Sequence, residues 1–499
     1  MYIVSNVPPA FNKNNQLNVY GGLAVAVIDS IPEDGAVWAG IVTDPNDNKT
    51  SYDAVHRVER LPIVVEDKPQ YLLHYGMWCK GKVYAAFHNL MEYAGLVGDR
   101  FSEDAVKTEE YYKAHVHTID DFGKKLAKEI HRRDTIAGAK EPIMVHDYQL
   151  IELAESLRKH GLKDRTIGIF LHVPFPEPEN FWLLPHADEV LDAYLEHDMI
   201  SFQDEEYSQK NFLNVVREYY PNAQYDAAAQ TLHVNGRSIA VKSFAASINP
   251  ADTLEDAKNA ENHPAVQDIL SRAGDRKIIF SAQRFDIIKG IPQALAAVEQ
   301  LLDEKPELAK DTYFVFCCQG TKYDGLRCYD EYQQESLDII QRINDKHPGT
   351  FELVNGLPRE AVLGLMRHTD VMYVPTIIEG QNLVVKEFII AKEDGAKPGV
   401  ALLSTGCAAY QGLKDTGGVF IHNPSDVADQ KACLERALTM AVPEQEKILK
   451  AQQEAIHAWT SLDYGRGLTD ALHQSGGLKG TAPGYVPPAA DGPSKLDHI

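Results

Sequence analysis

Val371 to Phe388 reads V-M-Y-V-P-T-I-I-E-G-Q-N-L-V-V-K-E-F. Val371–Val374 has the unbroken apolar character of a strand buried on both faces, and Pro375 starts a turn. A polar loop, Glu379-Gly380-Gln381-Asn382, leads into an apolar helix start that carries Lys386 and Glu387. Strand, glycine loop and helix N-terminus in that order make an anion site. The first N–H groups of the helix have no intrahelical partner and lie at the positive end of its dipole. Gly380, Gln381, Asn382, Leu383 and Val384 would line that socket. Glu379 on the loop can accept hydrogen bonds from sugar hydroxyls, and Glu387, about one turn into the helix, can accept from a ribose diol. A phosphate socket between two such readers suits a sugar nucleotide. Taken alone, the segment is equally a plain β-loop-α unit of any parallel sheet.

A second segment, Lys277 to Ile291, reads K-I-I-F-S-A-Q-R-F-D-I-I-K-G-I: an apolar strand, then Arg284 and Lys289 before a helix. Moving a sugar off a nucleoside diphosphate requires the new charge on the leaving group to be stabilised, and two fixed cations can do this without a metal. Arg forks onto two phosphate oxygens, whereas Lys supplies a point charge. These two segments resemble the trehalose-6-phosphate synthase family, glycosyltransferase family 20, whose patterns are D-G-x-N-L-V-x-K-E and D-R-L-D-Y-I-K-G. Arg284, Asp286, Lys289 and Gly290 fall on matching positions, while Glu379 stands where the family has Asp. The resemblance extends over roughly residues 1–470. It implies a GT-B architecture, in which two Rossmann-like halves face a cleft. It also implies catalytic roles for His172, Arg284, Lys289 and Glu379.

Composition fits an enzyme of this kind. The chain has 499 residues, enough for two or three domains with full cores, and its 44% hydrophobic and 24% charged residues are ordinary for a soluble protein. A net charge of −23 argues against a nucleic-acid partner, which demands a basic face. A small anionic ligand needs only a few local cations. The six cysteines show no C-x-x-C or Cys/His metal spacing, so reduced thiols in a cytoplasm are the expectation. Met1 opens into a strand rather than a signal sequence, and no stretch approaches the ~18 apolar residues of a membrane span.

Strands alternate with helical patterns along the chain, which favours an α/β fold with parallel sheets. Strands are expected at 1–5, 37–41, 142–146 and 166–172, then at 277–281, 313–317, 351–354, 371–374 and 400–404, with a helix over 104–132. F-A-A-S-I-N-P at Phe244–Pro250 lies where the family has F-P-I-G-I-D-P, the link between halves. The expected organisation is an acceptor domain over 1–248, a nucleotide-sugar domain over 249–455, a closing helix over 456–474 and a disordered tail over 475–499, rich in Gly, Pro, Ser and Ala.

The first half supplies the acceptor side. V-S-N at Val4–Asn6 and G-G-L-A-V at Gly21–Val25 resemble the family's opening, and Gly21 and Gly22 would bring backbone amides to the donor's diphosphate. His146-Asp147-Tyr148 resembles the family's H-D-Y, so Asp147 would accept from acceptor hydroxyls. G-I-F-L-H-V-P-F-P at Gly168–Pro176 matches the family's G-F-F-L-H-I-P-F-P, which makes His172 a contact to the transferred sugar. Tyr75 and Tyr84 stand where the family has Tyr and Trp, nine apart, and Lys322 in Gly320-Thr321-Lys322 where it has the Arg of T-S-R. The Arg that follows V-S-N in the family is Val7 here. Losing one Arg and softening another to Lys removes bidentate phosphate recognition, at about 1.5–3 kcal/mol per charge-assisted hydrogen bond. A weakened 6-phosphate site on the acceptor is therefore expected, with Tyr75, Lys80, Lys82 and Lys322 as the groups able to rebuild it.

These readings converge on a retaining glycosyltransferase. It would move a hexosyl unit from a nucleoside diphosphate sugar to a sugar or sugar-phosphate acceptor, with no cofactor and no metal. Gln381 also resembles the D-G-Q-N-L loop of the validamycin-type pseudo-glycosyltransferases, which join a nucleotide-activated cyclitol to an amino-cyclitol phosphate through a C–N bond. A non-catalytic sugar-phosphate sensor is the third reading, disfavoured because Arg284 and Lys289 both stand. No nucleic-acid or membrane partner is expected, and assembly into a homo-oligomer stays open.

Overall fold

The computed structural model describes residues 1–12, 17–18, 27–28, 31–32, 34–90, 105–138, 140–320 and 327–478. Gly21, Gly22, Lys322 and the tail beyond 478 lie outside the described residues.

The first half is built on one ten-stranded sheet. Its middle runs, in spatial order, through Met199–Phe202, Ile167–Phe170, Ile143–His146, Tyr2–Val4, Ala36–Val42 and Val58–Val64, all parallel. The edges are extended by Ser51–Asp53 on one side and by Arg237–Ser243, Thr231–Val234 and Gln224–Asp226 on the other. The second half has six parallel strands in the order Phe351–Val354, Thr312–Gln319, Lys277–Arg284, Val371–Val374, Val400–Ser404 and Val419–Ile421. Numbered along the chain, this sheet reads 3-2-1-4-5-6, the doubly wound order, and the middle of the first sheet reads the same. In such sheets the chain reverses direction of travel between the first and fourth strands, which opens a crevice at their carboxyl ends.

That rule locates the ligand crevice in both halves. In the second half the neighbouring strands at the reversal are Lys277–Arg284 and Val371–Val374, paired through Ile279 with Val371 and Phe280 with Met372. These are the two motif-bearing strands. In the first half they are Tyr2–Val4 and Ile143–His146, so Ser5-Asn6-Val7 and Asp147 emerge side by side.

The expected strands form where short β-branched and apolar runs suit a parallel sheet covered on both faces. Ile143–His146, Ile167–Phe170, Val371–Val374 and Val400–Ser404 are buried at every residue. Val58–Val64 was not among the expectations, because V-E-R-L-P-I-V is broken by two charges and a proline. It forms nevertheless, with Pro62 opposite Gly40 in the ladder.

Two helices end the described chain, Val442–His457 and Ser461–Ser475, followed by a short 3-10 turn at Gly476–Leu478. The second is started by a reciprocal cap between Thr460 and Asp463. It returns to the first half, where Tyr464, Leu468, Ala471 and Leu472 pack with Met1, Ile3, Met144 and Phe170. The helix therefore closes back as expected, but it spans Ser461–Ser475 where 456–474 was expected, because the preceding helix runs to His457 and the chain turns at Ala458–Thr460.

Candidate active site

At the carboxyl end of Lys277–Arg284, Asp286 caps a 3-10 turn, Ile287–Lys289, that ends at Gly290 with φ +64°. A side chain on Gly290 would place its Cβ 2.6 Å from the Pro375 carbonyl, so the two motif loops touch backbone to backbone. They are also tied by Ile377 N–H donating to the Ile288 carbonyl at 2.8 Å. This contact brings the Lys289 ammonium onto the Glu379 carboxylate as an ion pair.

Glu379 is held from three sides. Besides Lys289, it accepts from Thr376 Oγ1 at 3.2 Å and Asn382 Nδ2 at 3.0 Å. Burial by itself would raise its pKa, but the neighbouring ammonium and these donors hold it below the usual carboxylate value. Asn382 uses both ends of its amide, since its Oδ1 caps the Leu383–Ala391 helix by accepting from Val385 N–H at 3.0 Å. Gln381 Oε1 is buried beside this network with no hydrogen-bond partner. A buried acceptor left in that state costs free energy unless a ligand donor reaches it.

The facing half presents His172, Asp147 and His146. Asp147 has φ +75° and ψ 169°, a region a non-glycine residue holds only when its surroundings over-determine it. Its N–H donates to the Phe170 carbonyl at 2.8 Å, and its carboxylate accepts from His172 N–H at 3.2 Å. His172 Nε2 lies 2.9 Å from His146 Nδ1. Burial pushes His146 down to about 3 and His172 well below the usual histidine range, the latter also through His146. Both rings are therefore neutral at physiological pH and share a proton between them. Burial raises the Asp147 pKa, against the opposing pull of Lys80 and the His172 N–H.

The halves meet here. A Cβ on Gly380 would fall 2.0 Å from the His172 carbonyl oxygen, so the loop carrying Glu379 and Gln381 lies flat against the His172 backbone. Nearby, Tyr84 of the first half donates to Asp286 of the second at 3.3 Å. Arg284, half exposed, has its guanidinium 3.5 Å from the same carboxylate. Lys80 lies 4.8 Å from the centre of the Tyr84 ring and 5.7 Å from those of Tyr75 and Tyr148, a cation over an aromatic floor. Tyr75 itself stacks on Tyr71 at 6.0 Å. The structure thus gathers His172, Lys289, Glu379, Gly380, Gln381, Asn382, Asp147, Tyr84 and Arg284 around one crevice.

Glu387 sits differently. Its carboxylate is engaged by Arg359 at 2.8 Å, and Arg359 also reaches Asp256 at 3.1 Å. A ribose would have to share Glu387 with that guanidinium. The residues passed over as site members at the sequence level are Asp286, Thr376, Arg359, Tyr148 and Gln203, whose Nε2 lies 3.5 Å from His172 Nδ1. Of these Asp286 and Tyr148 carried a usable signal, since each lies in a stretch matched to the family, Asp286 also as an Asp three residues before the motif lysine where a helical turn begins.

Lys386 is buried and donates to the Ala246 carbonyl of the linker at 2.6 Å. Burial pushes its pKa down to about 8. Between there and the ordinary lysine value of ~10.4 the unfolded chain holds a proton that the folded chain lacks, so this residue makes stability rise with pH. Denaturant unfolding of the wild type and Lys386→Met at about pH 8 and about pH 10 reads this by difference. The wild type is expected to gain about 1–2 kcal/mol on the variant over that interval. An unchanged difference would mean that the ammonium is solvated in the folded state.

Residues 12–474 match the family described as glycosyltransferase family 20. Trehalose-6-phosphate synthase of Cronobacter sakazakii is 27% identical over 455 residues, covering 89% of each chain. Among solved structures, an alpha,alpha-trehalose-phosphate synthase (UDP-forming) from Burkholderia vietnamiensis aligns with a TM-score of 0.83 at 24% identity, covering 95% of this chain and 97% of that one. The Burkholderia xenovorans enzyme of the same description, in complex with glucose-6-phosphate, aligns with a TM-score of 0.81 at 24% identity, covering 95% and 99%. At that identity the solved structures speak to fold: the two-domain α/β architecture with a cleft between its halves.

Proposed function

The chain belongs to glycosyltransferase family 20, and from that premise we propose how its residues divide the work of transfer. The enzyme moves a hexosyl group from a nucleotide sugar to a sugar or sugar-phosphate hydroxyl. Arg284 and Lys289 hold the diphosphate, with the first amides of the Leu383–Ala391 helix completing the anion site. Glu379, Gln381 and Asn382 read the hexose hydroxyls, and His172 contacts the transferred ring. The observation that carries this reading is the orphaned Gln381 Oε1, a buried acceptor beside the Lys289–Glu379 pair on the loop pressed against His172. A sugar hydroxyl satisfies it.

Transfer with retention then runs on one face of the sugar. The bond from the anomeric carbon to the phosphate oxygen breaks, the bond to the acceptor oxygen forms on the same side, and the acceptor proton passes to the departing phosphate oxygen. The two cations stabilise the charge that appears there, so no metal step is needed. UDP is the donor nucleotide that the relatives' descriptions favour. Six free cysteines, five of them buried, and no described helix long and apolar enough to cross a membrane favour a reducing, cytosolic setting.

The acceptor is the point of departure from the relatives. Val7, 58% exposed, follows Asn6 at the carboxyl end of the first strand, where it offers no charge. Glucose 6-phosphate should therefore bind weakly, and Val7→Arg should lower its apparent KM by roughly tenfold, about one charge-assisted hydrogen bond. Saturation of the wild type at micromolar glucose 6-phosphate would refute the weakened site. The reaction class is tested by incubating the enzyme with a panel of nucleotide sugars and of neutral and phosphorylated acceptors, read by mass spectrometry. An acid-labile O-glycoside is expected. An acid-stable secondary amine from a cyclitol donor, with no transfer from any nucleotide sugar, would establish the C–N chemistry instead.

A further inference from the structure

Behind the acceptor side of the crevice lies a fully buried group that transfer does not use. His74 and Cys79 both belong to the Leu73–Val83 helix, which is wound as a π-helix, with the Tyr84 N–H bonded to the Cys79 carbonyl. Its i to i+5 bonding stacks residues five apart on one face, so the two side chains point the same way. His115 comes across from the Ala105–Ala137 helix. His74 Nδ1 and His115 Nδ1 are 2.7 Å apart, and Cys79 Sγ lies 3.7 Å from the first and 3.8 Å from the second.

The neighbours fix where the protons sit. His115 Nε2 meets Glu152 Oε2 at 2.7 Å, so that nitrogen carries the proton and donates it. His74 Nε2 meets Asn6 Oδ1 at 3.3 Å, while the Asn6 amide nitrogen donates to the Tyr71 hydroxyl at 3.0 Å. Both rings are thereby held as Nε2–H tautomers that turn their Nδ1 lone pairs towards each other and towards the sulfur. Two lone pairs at that separation repel unless a cation accepts them. Glu152 adds a second observation: it is buried, and its other carboxylate oxygen has no hydrogen-bond partner. A carboxylate that orients a histidine from behind is the usual second layer of a metal site.

We propose that His74 Nδ1, Cys79 Sγ and His115 Nδ1 bind a divalent ion of the zinc class, with a solvent-derived fourth ligand. Charge balances, because the ion is matched by the Cys79 thiolate and the Glu152 carboxylate. Cys79 releases its thiol proton to solvent as the ion binds. Zinc–nitrogen and zinc–sulfur bonds of ~2.0 and ~2.3 Å in a tetrahedron want sulfur about 3.6 Å from each nitrogen, close to the spacing present. The same tetrahedron wants the nitrogens about 3.3 Å apart, so the rings open by roughly half an ångström. The site's role lies in the fold rather than in transfer, although three protein ligands with an open fourth position differ from the four-ligand pattern of most structural zinc sites. It clamps Asn6 and the helix that carries Tyr75 and Lys80, and it stands independently of the reading of the reaction.

The test uses the full chain, stripped with a chelator and dialysed, then titrated with Zn²⁺ and, separately, with Co²⁺. Expected are stoichiometric zinc uptake by elemental analysis, a thiolate-to-cobalt charge-transfer band, and a higher melting temperature when loaded. Cys79→Ser should abolish the band, and His115→Gln should weaken zinc binding by at least ~10-fold, the scale of losing a supporting ligand. If either variant fails to fold, the wild-type cobalt spectrum alone decides. Absence of a thiolate band in the wild type would overturn the proposal, leaving a neutral His74–His115 hydrogen bond with the Asn6 amide turned over. A band retained in a folded Cys79→Ser would overturn it equally.

Discussion

Lys289→Ala is expected to lower turnover by ~100-fold or more, the scale of removing one preorganised donor from a developing anion. The ammonium has two jobs, and both fail in the variant. In the proposed site it stabilises the departing diphosphate, and before donor arrives it neutralises the largely buried Glu379 carboxylate. With the cation gone, burial dominates and the Glu379 pKa moves up. Activity in Lys289→Ala should therefore fall further as pH is lowered through the new Glu379 value, a limb the wild type lacks in that range. Arg284→Ala should cost a similar factor in turnover without this acid limb, because Arg284 is half exposed and lies beside Asp286 rather than Glu379. Steady-state rates with a competent nucleotide sugar, measured across pH, check both. Wild-type turnover in the two variants would remove these residues from the donor site.

Gly380→Ala is expected to be nearly as damaging, for a reason that involves no charge. The added methyl group would sit 2.0 Å from the His172 carbonyl oxygen, and both atoms belong to anchored backbone. Relief requires the halves to part by about 1 Å, and a misplacement of that size costs on the order of 100-fold when reacting groups sit on opposite walls. The loss should appear more in kcat than in nucleotide affinity, since Arg284, Lys289 and the helix N-terminus proposed to hold the diphosphate all lie in the second half. Nucleotide binding by calorimetry alongside initial rates separates the two. A variant with unaltered kcat would mean that the contact between Gly380 and His172 is absent during transfer.

The strands bearing the motifs were readable because a strand buried on both faces is a short apolar run, and Val371–Val374 and Ile167–Phe170 are such runs. What lies between strands was less readable. Nothing local announces that Tyr84 meets Asp286 across 202 residues, or that Arg359 takes Glu387 as its partner. Such pairs follow from which helix packs against which, and a one-dimensional pattern does not carry that. The His74, Cys79 and His115 cluster escaped for a more specific reason. Metal spacings are learned from α-helices and tight turns, whereas His74 and Cys79 share a face only because their helix is wound wider. His115 then arrives from a separate helix.

The return of the last helix to the first half has a mechanical consequence. The chain crosses between halves twice, near Phe244–Pro250 and near Trp459–Ser461, and the crossings are stitched together. Trp459 Nε1 donates to the Ala245 carbonyl at 2.7 Å, and Ser461 N–H donates to the Ile248 carbonyl at 2.9 Å. Two parallel straps fastened side by side bend easily about the line across them and resist torsion. A crevice hinged on these straps would open like a book along one spine, its two pages returning to register on closure and re-forming the grip on Gly380.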